Sequence, residues 1–187
     1  MIKRIFDFIL ASFLVILLSI PMLLIAGFIK LISRGAAIFW TDRVGRNNTI
    51  FKMAKFRTMK MNTPQLATHL MKNPEDYLIP GGAFLRKYSL DELPQLFNVV
   101  KGDMSFVGPR PALFNQDDLV ALRTMKKIHT VTPGITGWAQ VNGRDDLPIS
   151  VKVSFDEYYF HHRSFGFDVY IIFLTMLKVI KKEGVRH

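Results

Sequence analysis

The sequence contains no cysteine, which excludes a disulfide-stabilised fold, a zinc site with Cys ligands and a cysteine nucleophile. It also lacks the GxxxxGK(S/T), GxGxxG, HExxH and GxSxG motifs, and it has no Asp-x-Asp pair of the kind that holds a metal ion in many nucleotide-sugar enzymes. Its five histidines have no ligand-like spacing. Any catalytic site must therefore be sought outside these common motifs.

Acidic residues are scarce relative to basic ones: 15 Asp and Glu stand against 25 Lys and Arg, a formal charge of +10 over 187 residues. Such an excess predicts a polyanionic partner, which can be nucleic acid, an anionic membrane surface or a phosphate-rich small molecule. The hydrophobic content of 49% excludes intrinsic disorder. The length predicts one compact domain with room for an appendage.

The N-terminal region contains 22 consecutive uncharged residues, from Phe8 to Ile29. As a helix this segment is about 33 Å long, enough to cross a hydrocarbon core of roughly 30 Å. It is too long for the apolar part of a cleaved signal peptide. The longest strongly apolar stretch after it, Val169–Leu177, has nine residues. We therefore predict a membrane segment over residues 1–34 and a soluble-type basic domain over residues 35–187.

Two features bear on how this segment meets the membrane. Positive charges flank it on both sides, at Lys3, Arg4, Lys30 and Arg34. They favour a cytoplasmic location for both ends. Pro21 predicts a bend, because proline lacks the backbone donor and clashes with the preceding turn, and Ser19 can satisfy the freed carbonyl. The residues alone leave two interpretations open: a re-entrant helix–break–helix, or a single-pass helix with a mild kink.

The remaining pattern predicts a helix-rich α/β domain. Strands are predicted at Ala36–Trp40, Ile50–Phe56 and Ser105–Gly108. Helices are predicted at Pro64–Asn73, Ser89–Val100, Asp117–Ile128, Val151–His162 and Asp168–Lys182. The last helix is amphipathic, which is compatible with the membrane interface or with packing on a core.

An acidic pair, Asp91 and Glu92, marks the start of the predicted helix at Ser89. A structural interpretation is available, because Ser89 and Glu92 match a capping box, and Pro94 would favour Asp91 as the cap. The alternative is chemical. Adjacent carboxylates on a helix point about 100° apart, so one can hold Mg²⁺ or attack a phosphorus while the other faces a second substrate.

Cationic side chains supply the complementary charge. Arg110 lies between Pro109 and Pro111, which hold its backbone stiffly and let its guanidinium bind a phosphate through two hydrogen bonds. Further cations stand at Lys55, Arg57, Arg86 and Arg144. With the acidic pair and the membrane segment, they predict chemistry on a diphosphate at the bilayer surface.

Several segments together resemble the bacterial sugar transferases, also called monotopic phosphoglycosyl transferases, which include undecaprenyl-phosphate sugar phosphotransferases. The matching segments are FDFILA, the Ser19/Pro21 break, KFRTM, FLRKYSLDELPQLFNVVKGDMSFVGPRP, TPGITGWAQVNGR, FDEYY and SFGFDVYIIFLT. This resemblance implies a re-entrant membrane helix followed by a compact α/β domain with interfacial helices, so it favours re-entry. It also implies the cytoplasmic face of the bacterial inner membrane and the first membrane step of a surface-glycan pathway.

The resemblance further implies a reaction. A UDP-sugar donates its sugar 1-phosphate to a polyprenyl phosphate, giving polyprenyl-diphosphate-sugar and UMP, with Mg²⁺ required. Asp91 matches the nucleophile that forms a phosphosugar–enzyme intermediate and is the candidate metal ligand. Glu92 matches the partner that assists the attack of the lipid phosphate.

The resemblance assigns Arg110 to a substrate phosphate and, more loosely, assigns phosphate binding to three other cations, Lys55, Arg86 and Arg144. It gives Arg57 and Asp156 no definite role. Ala83 departs from the family pattern, which has an arginine there, so no cation is expected at that position.

Two other classes of function remain as alternatives. A membrane-anchored nucleic-acid-binding protein fits the charge, but the sequence has no RNP pair or recognisable helix-turn-helix, and we expect no nucleic-acid partner. A lipid-surface scaffold without chemistry fits the membrane segment. The sequence does not specify the sugar, the polyprenol length or the oligomeric state.

Overall fold

The structure, a computed structural model, describes residues 2–61, 63, 74–143 and 147–181 and shows a helix-rich α/β fold. The helices are α1 (Ile2–Leu17), α2 (Ser19–Ile32), α3 (Gly82–Lys87), α4 (Gln95–Lys101), α5 (Asp117–Met125), α6 (Trp138–Val141), α7 (Ile149–His162) and α8 (Phe165–Lys181). The strands are β1 (Ile38–Val44), β2 (Ile50–Phe56), β3 (Ser105–Val107), β4 (Ala112–Leu113) and β5 (Gly134–Thr136). Antiparallel strands form one sheet in the order β2-β1-β4, and β3 pairs with β5 in parallel.

The predicted bend in the N-terminal segment is present, with a 60° angle between α1 and α2. The break falls at Leu18, and the Ser19 hydroxyl donates a 2.8 Å hydrogen bond to the carbonyl of Ile16. Pro21 lies in the first turn of α2, where a backbone N–H has no intrahelical partner, so its missing donor is tolerated. No single helix among the described residues is long and apolar enough to cross a membrane, but the bent pair satisfies length and composition together.

The helix pair packs on the rest of the domain through one face. Ala11 of α1 lies in a cluster with Leu96 and Val99 of α4. Met22 and Ile29 of α2 lie in a second cluster with Phe56 of β2 and Leu85 of α3. The opposite face of the pair carries large exposed apolar side chains: Ile9, Phe13, Ile16, Ile20, Leu23, Leu24 and Leu31.

Polar contacts also tie α1 to the domain. The buried Asp7 carboxylate accepts a 2.8 Å hydrogen bond from the Ser105 hydroxyl. The Arg4 guanidinium donates to the carbonyl of Val99. Lys3 forms a 2.5 Å ion pair with Asp168 of α8. Since Lys3, Arg4 and Asp7 each have a partner in the domain, these contacts fix the described N-terminal end of α1 against β3, α4 and α8.

The strand prediction was correct for β2 and displaced for β1, which runs from Ile38 to Val44 instead of Ala36–Trp40. The observed strand continues through polar residues because each pairs with a residue of β2, as Asp42 does with Lys52. Their side chains form a 2.8 Å ion pair. An apolar pattern along one strand does not reveal such a partner.

The helix predictions need smaller corrections. The helix predicted over Asp117–Ile128 ends at Met125, because Lys127 adopts a left-handed conformation with φ of 58°. The last two helices are present but begin earlier than predicted, at Ile149 and Phe165. The helix predicted over Pro64–Asn73 lies outside the described residues.

The final helix α8 packs on the core, which is one of the two possibilities that its amphipathic pattern left open. Ile171 is fully buried in a cluster with Val107, Val141 and Tyr159. Tyr170, Phe173 and Met176 are exposed, so one face packs on the core while apolar side chains line another.

Candidate active site

The acidic pair lies on a short turn of 3-10 helix, Leu90–Glu92, and not at the start of a continuous helix. The prediction of one helix over Ser89–Val100 was wrong in its first half, because α4 begins only after Pro94. A proline at an interior helical position would remove a hydrogen bond and clash with the preceding turn. Ser89 has a left-handed backbone and makes no side-chain cap hydrogen bond, so the capping box does not form.

The turn is anchored by its apolar residues. Leu90 and Leu93 pack against the cluster that contains Met22 and Ile29 of α2. The acidic pair between them therefore lies directly beside the N-terminal helix pair. This placement depends on tertiary packing between segments about 60 residues apart in the chain.

Glu92 is held by two cations. Its Oε1 atom lies 2.7 Å from Lys55 Nζ of β2 and 2.9 Å from an Nη atom of Arg110. Burial alone would raise the pKa of Glu92, but Arg110 and Lys55 outweigh burial and hold this pKa far below its usual range. The Glu92 carboxylate is therefore ionised and fixed in position.

Asp91 has a different environment. It is only 7% exposed, and no group in the described part of the chain donates a hydrogen bond to its carboxylate. Burial raises the pKa of Asp91, and the charge of Glu92 adds to this, whereas Lys55, Arg86 and Arg110 oppose it. Asp91 is thus a buried carboxylate in a field of three cations, with its oxygens available.

Arg86 enters the site from α3, an element that the sequence reasoning missed. Its Nε donates a 3.0 Å hydrogen bond to the Thr58 hydroxyl, and its charge interacts with Asp91 and Glu92. Gly82 makes this approach possible, because a Cβ there would lie 2.5 Å from the Thr58 carbonyl oxygen. The Gly-Gly pair at 81–82 before an apolar and basic run was the available signal for α3.

The structure therefore brings together five of the predicted site residues: Lys55, Arg86, Asp91, Glu92 and Arg110. Other predicted residues lie elsewhere. Arg57 donates to the carbonyl of Arg34, where the helix pair joins the domain. Asp156 of α7 is buried and pairs with Arg123 of α5. Arg144 lies outside the described residues.

Arg123 is a residue that the sequence reasoning missed. Its guanidinium donates to the carbonyl of Arg110 at 2.8 Å, directly behind the site. A signal was present: Arg123 follows Leu119 by four residues, so it lies on the buried face of α5, where a cation needs a buried partner.

Residues 1–182 match the sequence profile of the family described as "Bacterial sugar transferase". The chain belongs to this family. An uncharacterized sugar transferase of Bacillus subtilis is 40% identical, with 98% of this chain and 90% of the relative covered. The UDP-glucose:undecaprenyl-phosphate glucose-1-phosphate transferase of Escherichia coli is 40% identical, with 95% of this chain and 40% of the relative covered. The undecaprenyl-phosphate galactose phosphotransferase of Salmonella typhimurium is 36% identical, with 97% of this chain and 41% of the relative covered.

The chain thus spans about two-fifths of the length of several sugar transferases that it matches, and nine-tenths of the Bacillus subtilis protein. The aligned part contains the whole cluster around Asp91 and Glu92. The predicted family resemblance is confirmed by this match.

The family resemblance implies a divalent cation, so the side chains around Asp91 are compared with the ligands that such an ion needs. The described residues contain no group of three or more Asp, Glu, His or Cys side chains that could hold a metal ion. Glu92 is engaged by two cations, which leaves the Asp91 carboxylate. Mg²⁺ is commonly held by one or two carboxylates together with substrate phosphates and water. The described part of the site therefore offers one carboxylate, Asp91, to a Mg²⁺ ion, and a diphosphate and water would have to supply the other oxygen ligands.

Proposed function

We propose that this sugar transferase moves a sugar 1-phosphate from a UDP-sugar to a polyprenyl phosphate, giving polyprenyl-diphosphate-sugar and UMP. One observation carries the proposal: a buried, unpaired Asp91 carboxylate lies among Lys55, Arg86 and Arg110, on a turn packed against the apolar helix pair. Relatives named as transferases acting on undecaprenyl phosphate support the choice of substrates. Exopolysaccharide production proteins among the relatives support a place in surface-glycan synthesis.

The first step uses Asp91 as a nucleophile. An Asp91 carboxylate oxygen attacks the phosphorus attached to the sugar, a new O–P bond forms, and the bond from that phosphorus to the bridging oxygen breaks to release UMP. The three cations reduce the repulsion between the anionic carboxylate and the anionic diphosphate. When bound, Mg²⁺ supplies further positive charge at the diphosphate.

The second step returns Asp91 to its starting state. An oxygen of the polyprenyl phosphate attacks the phosphorus of the aspartyl-phosphosugar, the Asp91 O–P bond breaks, and polyprenyl-diphosphate-sugar leaves. Glu92 assists by holding Lys55 and Arg110 beside the reacting phosphates, because both cations contact its Oε1 atom. A carboxylate with so low a pKa is a poor proton acceptor, and an anionic phosphate needs no base to attack.

The membrane has a defined place in this proposal. The helix pair enters the cytoplasmic leaflet of the bacterial inner membrane and returns, so that residues 35–187 stay on the cytoplasmic side. The 60° bend and the exposed apolar face of α1 and α2 support this arrangement. Leu90 and Leu93, which pack on the α2 cluster, would then keep Asp91 near the head group of a lipid acceptor.

The bend can be tested by replacing Pro21 with Leu. We expect a straighter helix and transfer of the N-terminus to the far side, scored by labelling a cysteine introduced at residue 2 in intact cells with a membrane-impermeant reagent. Continued cytoplasmic location in the variant would contradict the role given to the break.

The reaction is tested by isotope exchange in nanodiscs with Mg²⁺ and a panel of UDP-sugars. Labelled UMP should enter the UDP-sugar before any polyprenyl phosphate is added, and the D91N variant should lose both exchange and turnover. Turnover without exchange would favour a direct displacement on a ternary complex. No UMP release from any UDP-sugar would contradict the proposed function.

A further inference from the structure

The loop that presents Arg110 is held mainly through its carbonyl groups. Pro109 and Pro111 have no backbone N–H, so neither can donate a hydrogen bond to the neighbouring strands. The Pro109 carbonyl accepts a 3.0 Å hydrogen bond from the backbone N–H of Gly134. The Arg110 carbonyl accepts one of 2.8 Å from Arg123, and the Pro111 carbonyl accepts one of 3.3 Å from Arg43. Two of the three donors are therefore guanidinium groups.

Arg123 is itself fixed by a buried ion pair. Its Nε and one Nη atom donate to the same Oδ2 atom of Asp156, at 3.0 and 2.6 Å. The side chains are 9% and 2% exposed. The other Nη atom makes the contact with the Arg110 carbonyl. A planar guanidinium can make these contacts together because its five N–H groups have fixed directions.

Pro109, Pro111 and Arg123 are among the residues that line a cavity beside the loop. On the other side, the Arg110 guanidinium reaches Glu92 at 2.9 Å. The direction of that guanidinium therefore depends on where the Arg110 backbone is held.

We propose that Arg123 and Asp156 are positioning residues: Asp156 orients Arg123, and Arg123 holds the Arg110 carbonyl so that the Arg110 guanidinium faces Glu92 and a substrate phosphate. This inference rests on the proposed function for its effect on turnover. The competing interpretation is that the ion pair only joins α5 to α7. The two interpretations separate when the pair is replaced by apolar residues, because such a replacement of a buried pair is often neutral for stability but removes the donor to Arg110.

The test compares the wild-type chain with the R123M/D156L double variant in nanodiscs. We expect similar thermal unfolding and a kcat about tenfold to a hundredfold lower, as follows from a small misplacement of a substrate-positioning group. The matched control is K126Q/E157Q, which removes an exposed ion pair between Lys126, at the end of α5, and Glu157 of α7. We expect its kcat to stay within about twofold of wild type. An equal kcat for the two variants would overturn the proposal.

A second measurement is independent of turnover. The backbone amide of Gly108 donates to the Thr136 carbonyl, and that of Gly134 donates to the Pro109 carbonyl, so both amides report on the segment that leads into Arg110. We expect their hydrogen exchange to be at least about tenfold faster in the double variant, while the Ala54 amide, bonded to Asn98, keeps its rate. Unchanged exchange at Gly108 and Gly134 would overturn the positioning role even if kcat fell. If wild type transfers no sugar phosphate, the proposed function fails, and exchange alone decides the positioning role.

A conservative variant covers the case in which the double variant does not fold. R123K keeps a positive charge for Asp156 but lacks the planar fork needed to hold the Arg110 carbonyl at the same time. We expect R123K to fold, to exchange faster at Gly108 and Gly134, and to lose kcat more than KM rises. Wild-type exchange and kcat in R123K would contradict the proposal.

Discussion

Asp91 and Asp156 are both buried aspartates, but their surroundings differ. Asp156 is 1% exposed and accepts two hydrogen bonds from Arg123. Asp91 is 7% exposed, and no described group donates a hydrogen bond to it, although Lys55, Arg86 and Arg110 act on its charge. Burial raises the pKa of both carboxyl groups. The Asp156 carboxylate is thus engaged by a buried guanidinium, whereas the Asp91 carboxylate is buried with no hydrogen-bond donor among the described residues.

Removing Asp156 and removing Asp91 should affect the neighbouring cations differently. Without Asp156, the buried Arg123 guanidinium would lose its counterion. Without Asp91, Lys55 and Arg110 would still pair with Glu92, and Arg86 would still donate to Thr58. The first removal should therefore reduce stability, whereas the second should reduce activity without such a loss of stability.

The largest expected effect is on turnover in D91N. Loss of a nucleophile should lower turnover by about 10⁴-fold or more, since the intermediate can no longer form. The unfolding midpoint should stay the same or rise, because the variant no longer buries an unpaired carboxylate. The measurements are UMP release and thermal unfolding in nanodiscs. If D91N failed to fold, Asp91 would also be needed for stability, and this would contradict the contrast with Asp156.

The next effect is on stability in D156A. Leaving Arg123 charged and unpaired should cost about 3–5 kcal/mol in the free energy of unfolding. Denaturant titration in detergent micelles, with the K126Q/E157Q variant as control, measures this cost. An unchanged free energy of unfolding in D156A would show that the buried ion pair contributes little to stability. That result would contradict the contrast between Asp156 and Asp91.

A smaller effect on turnover is expected in E92Q. The amide still accepts hydrogen bonds from Lys55 and Arg110 but no longer neutralises them, so both cations should be placed less firmly beside Asp91. We expect lipid-dependent turnover to fall by roughly 10²-fold, in line with the loss of one preorganised electrostatic group. Full turnover in E92Q would remove Glu92 from the mechanism.

The smallest effect is expected in K126A. Lys126 and Glu157 form a 2.5 Å ion pair, but both side chains are a third or more exposed. Exposed pairs contribute about 0–1 kcal/mol, so the free energy of unfolding should change by no more than that. This variant adds the solvent-exposed case to the comparison of the two buried aspartates. A loss as large as that of D156A would show that burial is not the deciding factor.

The sequence predicted the parts of the site that depend on local chemistry. The acidic pair, the proline-flanked Arg110 and the cations Lys55 and Arg86 stand out by residue type and neighbours, and the structure brings them together. Strand β2 is also visible in the sequence because its apolar and polar residues nearly alternate.

The sequence did not predict features that depend on contacts between distant segments. The extension of β1 through Asp42 requires the partner Lys52, and the packing of Leu90 and Leu93 requires α2. The contact between Arg123 and the Arg110 carbonyl joins an element to a loop 13 residues away. The helix predicted at Ser89 failed because Pro94 delays α4 until Gln95.

The most direct test of the central claim is intact-protein mass spectrometry after incubation with a turnover-competent UDP-sugar and Mg²⁺, without lipid acceptor. We expect an added mass of one sugar phosphate, located by peptide mapping to Asp91 and lost when polyprenyl phosphate is supplied. An enzyme that turns over with no such adduct, or with the adduct on another residue, would contradict a nucleophilic role for Asp91.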